Sequence, residues 1–445
     1  MSRRIAAALL VVFVVASGGL GSAATAHPAV ASTGVHDAGI VDGDGYPLIQ
    51  AGAGATAPDD ALDNAAGSAV RGDAAPEPRR SAGGAVGATD DGDSGEQVRV
   101  GVIGSEFRGR PDALTDRVSA VRRLNPRFMG FQGGPSHDTA VAEIVARQTE
   151  SADLYLAAVG HSPTPKTYSR AVEWLVANDV DVIVDAGSYF PRTADGMDRI
   201  AAAAENATDS GVVFVTSAGN YAQRHWRGQP ASDGWASFAP GTQVNRLGNG
   251  TVSGRVTLRL YWEADTDYDL YLYRDVPGPN DRLVRKSTRT DGHAESIDAA
   301  VPRGHYYVAV HAADEPTGPV DLFAAHHRLA YAGAEGSAVA PATVNGVIAV
   351  GAVTANGGLR AYSSTGADVT TTDGVQTRST GQFRGTSAAA PVVAGTVAAM
   401  ESSGSSLTPA EVERILERTA DGARDCVDPA AAVAAARANT SAARP

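Results

Sequence analysis

The residue of this 445-residue chain best placed to do chemistry is a serine, Ser387, in the segment Gly385-Thr386-Ser387. The run of small residues that follows it, as far as Met400, predicts a buried helix. A hydroxyl at the start of a helix lies beside backbone amides that favour negative charge, which suits a nucleophile and a developing oxyanion. The alternative is a small-residue turn that only leads into a core helix.

Two further segments supply candidate partners for such a nucleophile. His137 is followed at helical spacing by Val141 and Val145, and an imidazole can take a proton from a hydroxyl and return it to a leaving group. The β-branched run 212–215 predicts a buried parallel strand, after which the chain reaches Asn220 at the carboxyl end. A structural histidine and an asparagine that caps a turn are the alternatives.

The string from Gly385 to Pro391 resembles the nucleophile segment of subtilisin-like serine peptidases. The segments around His137 and Asn220 resemble that family's histidine helix and its Ser-Ala-Gly-Asn segment, in the family's chain order, and the resemblance extends from Val98 to about Arg437. It implies a serine endopeptidase in which Ser387 is the nucleophile, His137 the general base and acid, and Asn220 a side-chain donor to the oxyanion. It also implies a doubly wound, mostly parallel α/β sheet.

The fourth catalytic position departs from the family's pattern. The run from Val98 to Ile103 resembles the first core strand, after which the family has an aspartate, but here Gly104 follows. Loss of that aspartate costs on the order of 10⁴ in turnover. The favoured replacement is Asp185, which ends an apolar run whose counterpart in the family lies beside the first strand. Glu106 is the second candidate, and an ordinary loop cap is the alternative for both.

Smaller departures lie next to these motifs. The histidine helix has Asp138 and Ala140 where the family has a glycine and a second histidine. The segments Gly187-Ser188-Tyr189 and Ser217-Ala218-Gly219 match the family's two substrate-lining segments, but the first differs from the usual Ser-Leu-Gly. The shape of the primary specificity pocket therefore stays open.

The N-terminal region indicates export. Residues 1–26 combine a basic start, an apolar stretch and a small-residue end at Ala24-Thr25-Ala26, which is typical of a signal peptide. Residues 27–97 are rich in Ala, Gly, Asp and Pro and predict a disordered pro-segment or linker. We therefore expect a secreted protein that has no membrane segment after the signal peptide is removed.

The rest of the chain divides into regions that differ in the type and order of their predicted helices and strands. A catalytic domain is predicted over residues 98–247 and 328–437, with a flexible tail over 438–445. Residues 248–327 predict a small inserted antiparallel β-sandwich with strands at Val252–Trp262, Tyr268–Tyr273, Ala294–Val301 and His305–Ala312. Asp265, Asp267 and Asp269 leave a structural calcium ion open beside the simpler interpretation as solvated strand-edge acids.

Composition limits the kinds of partner that the protein can have. The net charge of −13 argues against nucleic acid, and the single cysteine, Cys426, excludes an internal disulfide. We expect a monomer that acts on polypeptides without a cofactor. The competing hypothesis is an inactive family member that binds peptides or a surface partner. An α/β-hydrolase esterase is disfavoured because no Gly-x-Ser-x-Gly surrounds Ser387 and the histidine precedes the serine.

Overall fold

A computed structural model describes residues 97–109, 111–124, 137–149, 152–231, 234–278, 281–403, 407–421 and 426–443. The predicted signal peptide, residues 1–26, and the predicted pro-segment, residues 27–97, lie outside the described residues apart from Gln97. Within the described part of the chain, no helix is both long and apolar enough to cross a membrane.

The core is a seven-stranded parallel sheet with the strand order β14-β13-β5-β4-β1-β3-β2. Its central strands are buried on both faces, and most of their residues are apolar. Asp185, the last residue of β4, pairs in register with Ile103 on one side and Thr216 on the other, so the carboxyl ends of β1, β4 and β5 meet at one edge. The strands are β1 Arg99–Gly104, β2 Val118–Arg123, β3 Asp153–Ala158, β4 Val182–Asp185, β5 Val213–Ser217, β13 Val347–Val353 and β14 Val369–Thr372.

Helices cover both faces of this sheet, which confirms the predicted doubly wound α/β fold. The helices are α1 His137–Gln148, α2 Pro165–Val176, α3 Ala194–Asp209, α4 Thr386–Glu401, α5 Pro409–Thr419 and α6 Pro429–Ala443. Val100 and Val102 of β1 pack with α1 and α4, whereas Ile103 packs with α2 and α3. Small residues bring α4 close to α1, since a Cβ at Gly395 would lie 2.4 Å from Gln148 Cβ.

An antiparallel region separates β5 from β13. Its strands are β6 His225–Gly228, β7 Asn245–Arg246, β8 Val252–Trp262, β9 Tyr268–Asp275, β10 Arg282–Ser287, β11 Ala294–Ala312 and β12 Val320–Ala324. The first half of β11 pairs with β8, and its second half pairs with β9 and β7, so this strand passes from one group of strands to the other. A separate hairpin, β15 Val375–Thr377 with β16 Gly381–Phe383, precedes α4.

Two details of this region differ from the sequence prediction. The segments predicted as separate strands at 294–301 and 305–312 are one strand, because the chain passes Pro302 with a register shift rather than a turn. The predicted boundary at residue 248 falls inside the antiparallel region, since β6 pairs with β12 and β7 pairs with β11 before that point.

The antiparallel region is fixed to the segment that follows β4. The fully buried Arg259 side chain donates to Phe190 O at 3.0 Å and pairs with Asp298 at 3.2 Å. Asp298 also forms an ion pair with Arg192, in which Arg192 Nη2 lies 2.7 Å from Asp298 Oδ2. Tyr261 Oη donates a hydrogen bond to Pro191 O at 2.6 Å. Because a buried guanidinium without its carboxylate would cost several kcal/mol, about 3–5, this contact holds the two regions in one arrangement.

Candidate active site

Ser387 lies in the first turn of α4, as the sequence predicts, with only 5% of its surface exposed. The residue before the helix is Gly385 at φ 101°, a conformation that other residues rarely adopt. The Ser387 hydroxyl donates to Ala186 O, just beyond the end of β4, at 2.9 Å. The nucleophile candidate is thereby placed between α4 and the carboxyl edge of the sheet.

Asn220 lies beside this turn, three residues beyond β5. Its Oδ1 accepts from the Thr386 backbone N–H at 3.1 Å and from the Thr386 hydroxyl at 3.2 Å. Because a backbone N–H can only donate, these bonds fix which end of the amide is the oxygen. The Nδ2 group is therefore the other end of the amide, and it lies 3.1 Å from the position that a Cβ at Gly385 would occupy.

A buried carboxylate, that of Asp373, is hydrogen-bonded to the backbone of the turn before Ser387. Asp373 is fully buried and accepts from Gly385 N at 3.1 Å, from the Tyr362 hydroxyl, and from Arg360 Nε at 2.9 Å. Asp373 was not predicted from the sequence, because a single aspartate that follows threonines carries no recognisable motif. Its role in the structure is to fix the backbone immediately before the serine.

His137 is the first residue of α1, and its ring contacts an aspartate that is its neighbour in the chain. His137 Nδ1 lies 2.8 Å from Asp138 Oδ1, while Asp138 Oδ2 accepts from Glu106 N at 3.0 Å. Phe383 packs edge-on against the imidazole, with ring centroids 5.1 Å apart. The side chains of His137 and Asp138 are only 15% and 6% exposed, so both are held in place.

Asp138 fills the space beside Gly104 that the family's aspartate side chain would need. A Cβ added at Gly104 would lie 2.6 Å from Asp138 Cβ and 2.7 Å from its Cγ. Real Cβ atoms do not approach so closely, so a side chain at position 104 and the present Asp138 exclude each other. The absence of a side chain at Gly104 therefore makes room for the side chain of Asp138.

The expected hydrogen bond between Asp185 and His137 is corrected by the structure. Asp185 is fully buried, and its Oδ1 accepts from Gly187 N at 2.9 Å and from Tyr189 Oη at 3.1 Å. Its Oδ2 accepts from Tyr168 Oη at 2.9 Å. Burial raises the pKa of Asp185 to about 6, against the lowering effect of these hydrogen bonds. The carboxylate does lie near the vacated position, but its oxygens are engaged by the two tyrosines.

Glu106, the other candidate, contributes its backbone rather than its side chain. Its carboxylate accepts from Arg108 at 2.6 Å and lies 3.2 Å from His161 Nε2. The hydrogen bond from Arg108 keeps the pKa of Glu106 below its usual value. The Glu106 amide N–H binds Asp138, so this residue supports the histidine partner without contacting the ring through the carboxylate.

In the described structure the serine hydroxyl bonds Ala186 O rather than the imidazole of His137. Rotation about χ1 moves a serine Oγ between staggered positions, and such catalytic bonds often form only when a substrate is present. No group of three or more His, Cys, Asp or Glu side chains that could hold a metal ion occurs among the residues that the structure describes.

Comparisons with known proteins relate the fold and part of the sequence to one family of peptidases. Residues 326–440 match the model of the Subtilase family. No curated protein sequence matches the chain. The CspB protease of Clostridium perfringens has a similar structure, with a TM-score of 0.57 and 14% identity over 77% of this chain and 95% of that one.

Two further solved structures are similar at a lower level. The self-cleaved protease domain of PatA shares 16% identity over 77% of this chain and 98% of its own, with a TM-score of 0.43. The nisin leader peptidase NisP from Lactococcus lactis shares 14% identity over 76% and 87%, also with a TM-score of 0.43. The resemblance to the subtilisin-like peptidases is thus confirmed: the described region has their fold, and residues 326–440 carry the sequence pattern of the Subtilase family.

Proposed function

We propose that the protein is a secreted serine endopeptidase in which Asp138 takes the place of the missing catalytic aspartate. The observation that carries the proposal is the 2.8 Å contact between Asp138 Oδ1 and His137 Nδ1. Export rests on the signal-peptide pattern of residues 1–26, which lie outside the described structure.

Asp138 has the properties that the role requires. One carboxylate oxygen is on the imidazole and the other is fixed by the Glu106 amide, so the carboxylate cannot turn away from the ring. Its contact with Nδ1 favours the tautomer that leaves Nε2 free to accept the serine proton, and its charge stabilises the imidazolium that results. An acidic residue in the first turn of α1 is also favoured by the helix dipole.

The other groups complete an acyl-transfer mechanism. His137 takes the proton of Ser387 as the hydroxyl attacks the substrate carbonyl, and it returns that proton to the leaving amine. The Asn220 amide donates to the tetrahedral oxyanion, which is worth about 3–4 kcal/mol of the barrier. The Thr386 N–H bonds Asn220 Oδ1, and the Ala388 and Ala389 N–H groups bond Gly385 O, so the Ser387 N–H is the first-turn group that can serve as a further donor.

The alternative is an inactive family member that binds peptides or a surface partner. Gly104 is the feature that favours it, because a subtilisin-like site without an orienting carboxylate would be impaired by on the order of 10⁴. The position of Asp138 against His137 answers that objection, since the imidazole keeps a carboxylate partner.

Covalent labelling tests the proposal directly. A fluorophosphonate probe should label the mature protein at Ser387, and Ser387→Ala should abolish labelling. Ser402→Ala, at the other end of the same helix, serves as the matched control and should label like the parent. Absence of labelling in the folded parent, or labelling that survives Ser387→Ala, would count against an enzyme built on this serine.

A further inference from the structure

The space beside the nucleophile is bounded by two backbone segments. Ser387 Oγ bonds Ala186 O at 2.9 Å, and Asn220 directly follows Gly219. A peptide carbonyl attacked by Ser387, with its oxygen directed at the Asn220 amide, therefore lies over the gap between residues 186–188 and 217–219. The substrate side chain next to that carbonyl enters this gap, so its contents decide which residue can be accepted.

The gap is filled by a side chain of the protein itself. Tyr221 is only 1% exposed, and its hydroxyl is hydrogen-bonded to the Ser188 side chain on one wall. Its ring lies against Gly219 on the other wall, because a Cβ at that glycine would be 2.9 Å from Tyr221 Cδ2. The tyrosine thus spans the space from one segment to the other.

Two phenylalanines hold this tyrosine in place. Phe190 contacts Tyr221 edge to face at a centroid distance of 4.8 Å, and Phe323 lies beside Phe190, 6.3 Å from the tyrosine ring. Phe190 and Phe323 are themselves 5.2 Å apart, and all three rings are almost completely buried. Phe323 belongs to β12, so the antiparallel region helps to close the gap.

We propose that Tyr221 is the specificity-determining residue of the site and restricts cleavage to bonds that follow glycine, alanine or serine. This inference rests on the proposed peptidase function. A large side chain could enter only by displacing a buried ring that packs against two phenylalanines and is hydrogen-bonded at its tip. Densely packed interiors do not make such space without rearrangement.

Peptide substrates that differ only in the residue before the cleaved bond provide the test. The parent should prefer alanine to phenylalanine by about 100-fold or more in kcat/KM, because a closed pocket discriminates by steric exclusion. Tyr221→Ala should raise the phenylalanine rate at least about 10-fold relative to alanine. Tyr221→Phe, which keeps the ring, should retain the parent's preference, and the exposed Tyr331→Ala is the surface control. Equal cleavage after alanine and phenylalanine by the parent would overturn the proposal.

A binding measurement separates this inference from the proposed function. Peptides that end in a free alanine or phenylalanine carboxylate mimic the acyl product and can be titrated into the Ser387→Ala protein by calorimetry. Tighter binding of the alanine peptide supports the closed pocket even if Tyr221→Ala does not fold. Tighter binding of the phenylalanine peptide contradicts it. A parent that cleaves no peptide and binds no fluorophosphonate rejects the peptidase function, whichever peptide binds better.

Discussion

The carboxylates at the ends of two neighbouring strands, β1 and β4, differ in their origin and in their partners. At the end of β1 the carboxylate of the family's pattern is missing, and Asp138 from helix α1 fills the space above Gly104. At the end of β4 a carboxylate is present, but Tyr168 and Tyr189 enclose Asp185. The first carboxylate contacts the imidazole of His137, and the second is bonded to buried hydroxyls.

The difference shows that contact between a carboxylate and the histidine depends on the carboxylate's position in space and on its free lone pairs. A place at the end of the correct strand is not sufficient. Asp138 contacts the ring from helix α1. Its Oδ2 accepts from the Glu106 amide, and its Oδ1 lies against His137. Asp185 lies on the predicted strand end but has no comparable freedom, because three donors surround it.

The largest expected effect is at Asp138. Asp138→Asn should lower kcat/KM by about 10³–10⁴ with little change in folding, because an amide favours the wrong imidazole tautomer. Peptide hydrolysis measured near pH 8 checks this result. Glu106→Gln is the matched control and should change kcat/KM less than about threefold, since only its backbone N–H binds Asp138.

A parent-like rate for Asp138→Asn would show that His137 works without this carboxylate. A large loss in Glu106→Gln would instead move the role to the second candidate of the sequence prediction.

A swap of the two positions gives the next largest effect. Gly104→Asp alone should lower both activity and stability, by about 1–3 kcal/mol of unfolding free energy, because its Cβ would lie 2.6 Å from Asp138 Cβ. Combined with Asp138→Gly, the same change should recover most of the activity lost in Asp138→Gly alone. Hydrolysis rates and chemical unfolding of the three variants check this. If Gly104→Asp alone activates a silent parent, the protein is an inactive family member.

The smallest catalytic effect is expected at Asp185. Asp185→Asn should change kcat/KM only severalfold, but it should alter how stability depends on pH. The folded-state pKa of Asp185, about 6, lies above its ordinary value of 3.8. The folded protein therefore loses stability as the pH rises from about 4 through about 6, and the ionised buried group costs about 3 kcal/mol above that range.

An asparagine at position 185 cannot ionise, so the Asp185→Asn variant should not lose stability in this way as the pH rises. Urea unfolding should show that the unfolding free energy of the variant, relative to that of the parent, rises by about 3 kcal/mol between pH 4 and pH 8. Parallel pH profiles for parent and variant would mean that the carboxyl is already solvated or paired. A 10³-fold loss of turnover in Asp185→Asn would restore this residue as the partner of His137.

Local patterns predicted the parts of the fold and site that depend on neighbouring residues. The small-residue helix after Ser387 is present at the predicted place. The partner of His137 was missed because successive residues of a helix are turned about 100° apart, which argues against contact between neighbours. The contact depends on the first turn of α1 and on the Glu106 amide, and neither is visible in the sequence around the histidine.

The limits of the antiparallel region were missed for a different reason. β6 has only four residues, His225–Gly228, which is too short to show an alternating pattern, so its pairing with β12 could not be predicted. The sequence predicted two strands, 294–301 and 305–312, but β11 is continuous and has a register shift between Val301 and Gly304. In both places long-range pairing overrides the local signal.

The most direct test of the account is the protonation pattern of the His137 ring. Nitrogen NMR of histidine-labelled protein at alkaline pH, where imidazoles are neutral, distinguishes the two tautomers, and His137→Gln identifies the signals among the 10 histidines. We predict a proton on Nδ1 and a free Nε2 in the parent and in Asp185→Asn, and loss of that pattern in Asp138→Asn. A pattern that survives Asp138→Asn but is lost in Asp185→Asn would contradict it.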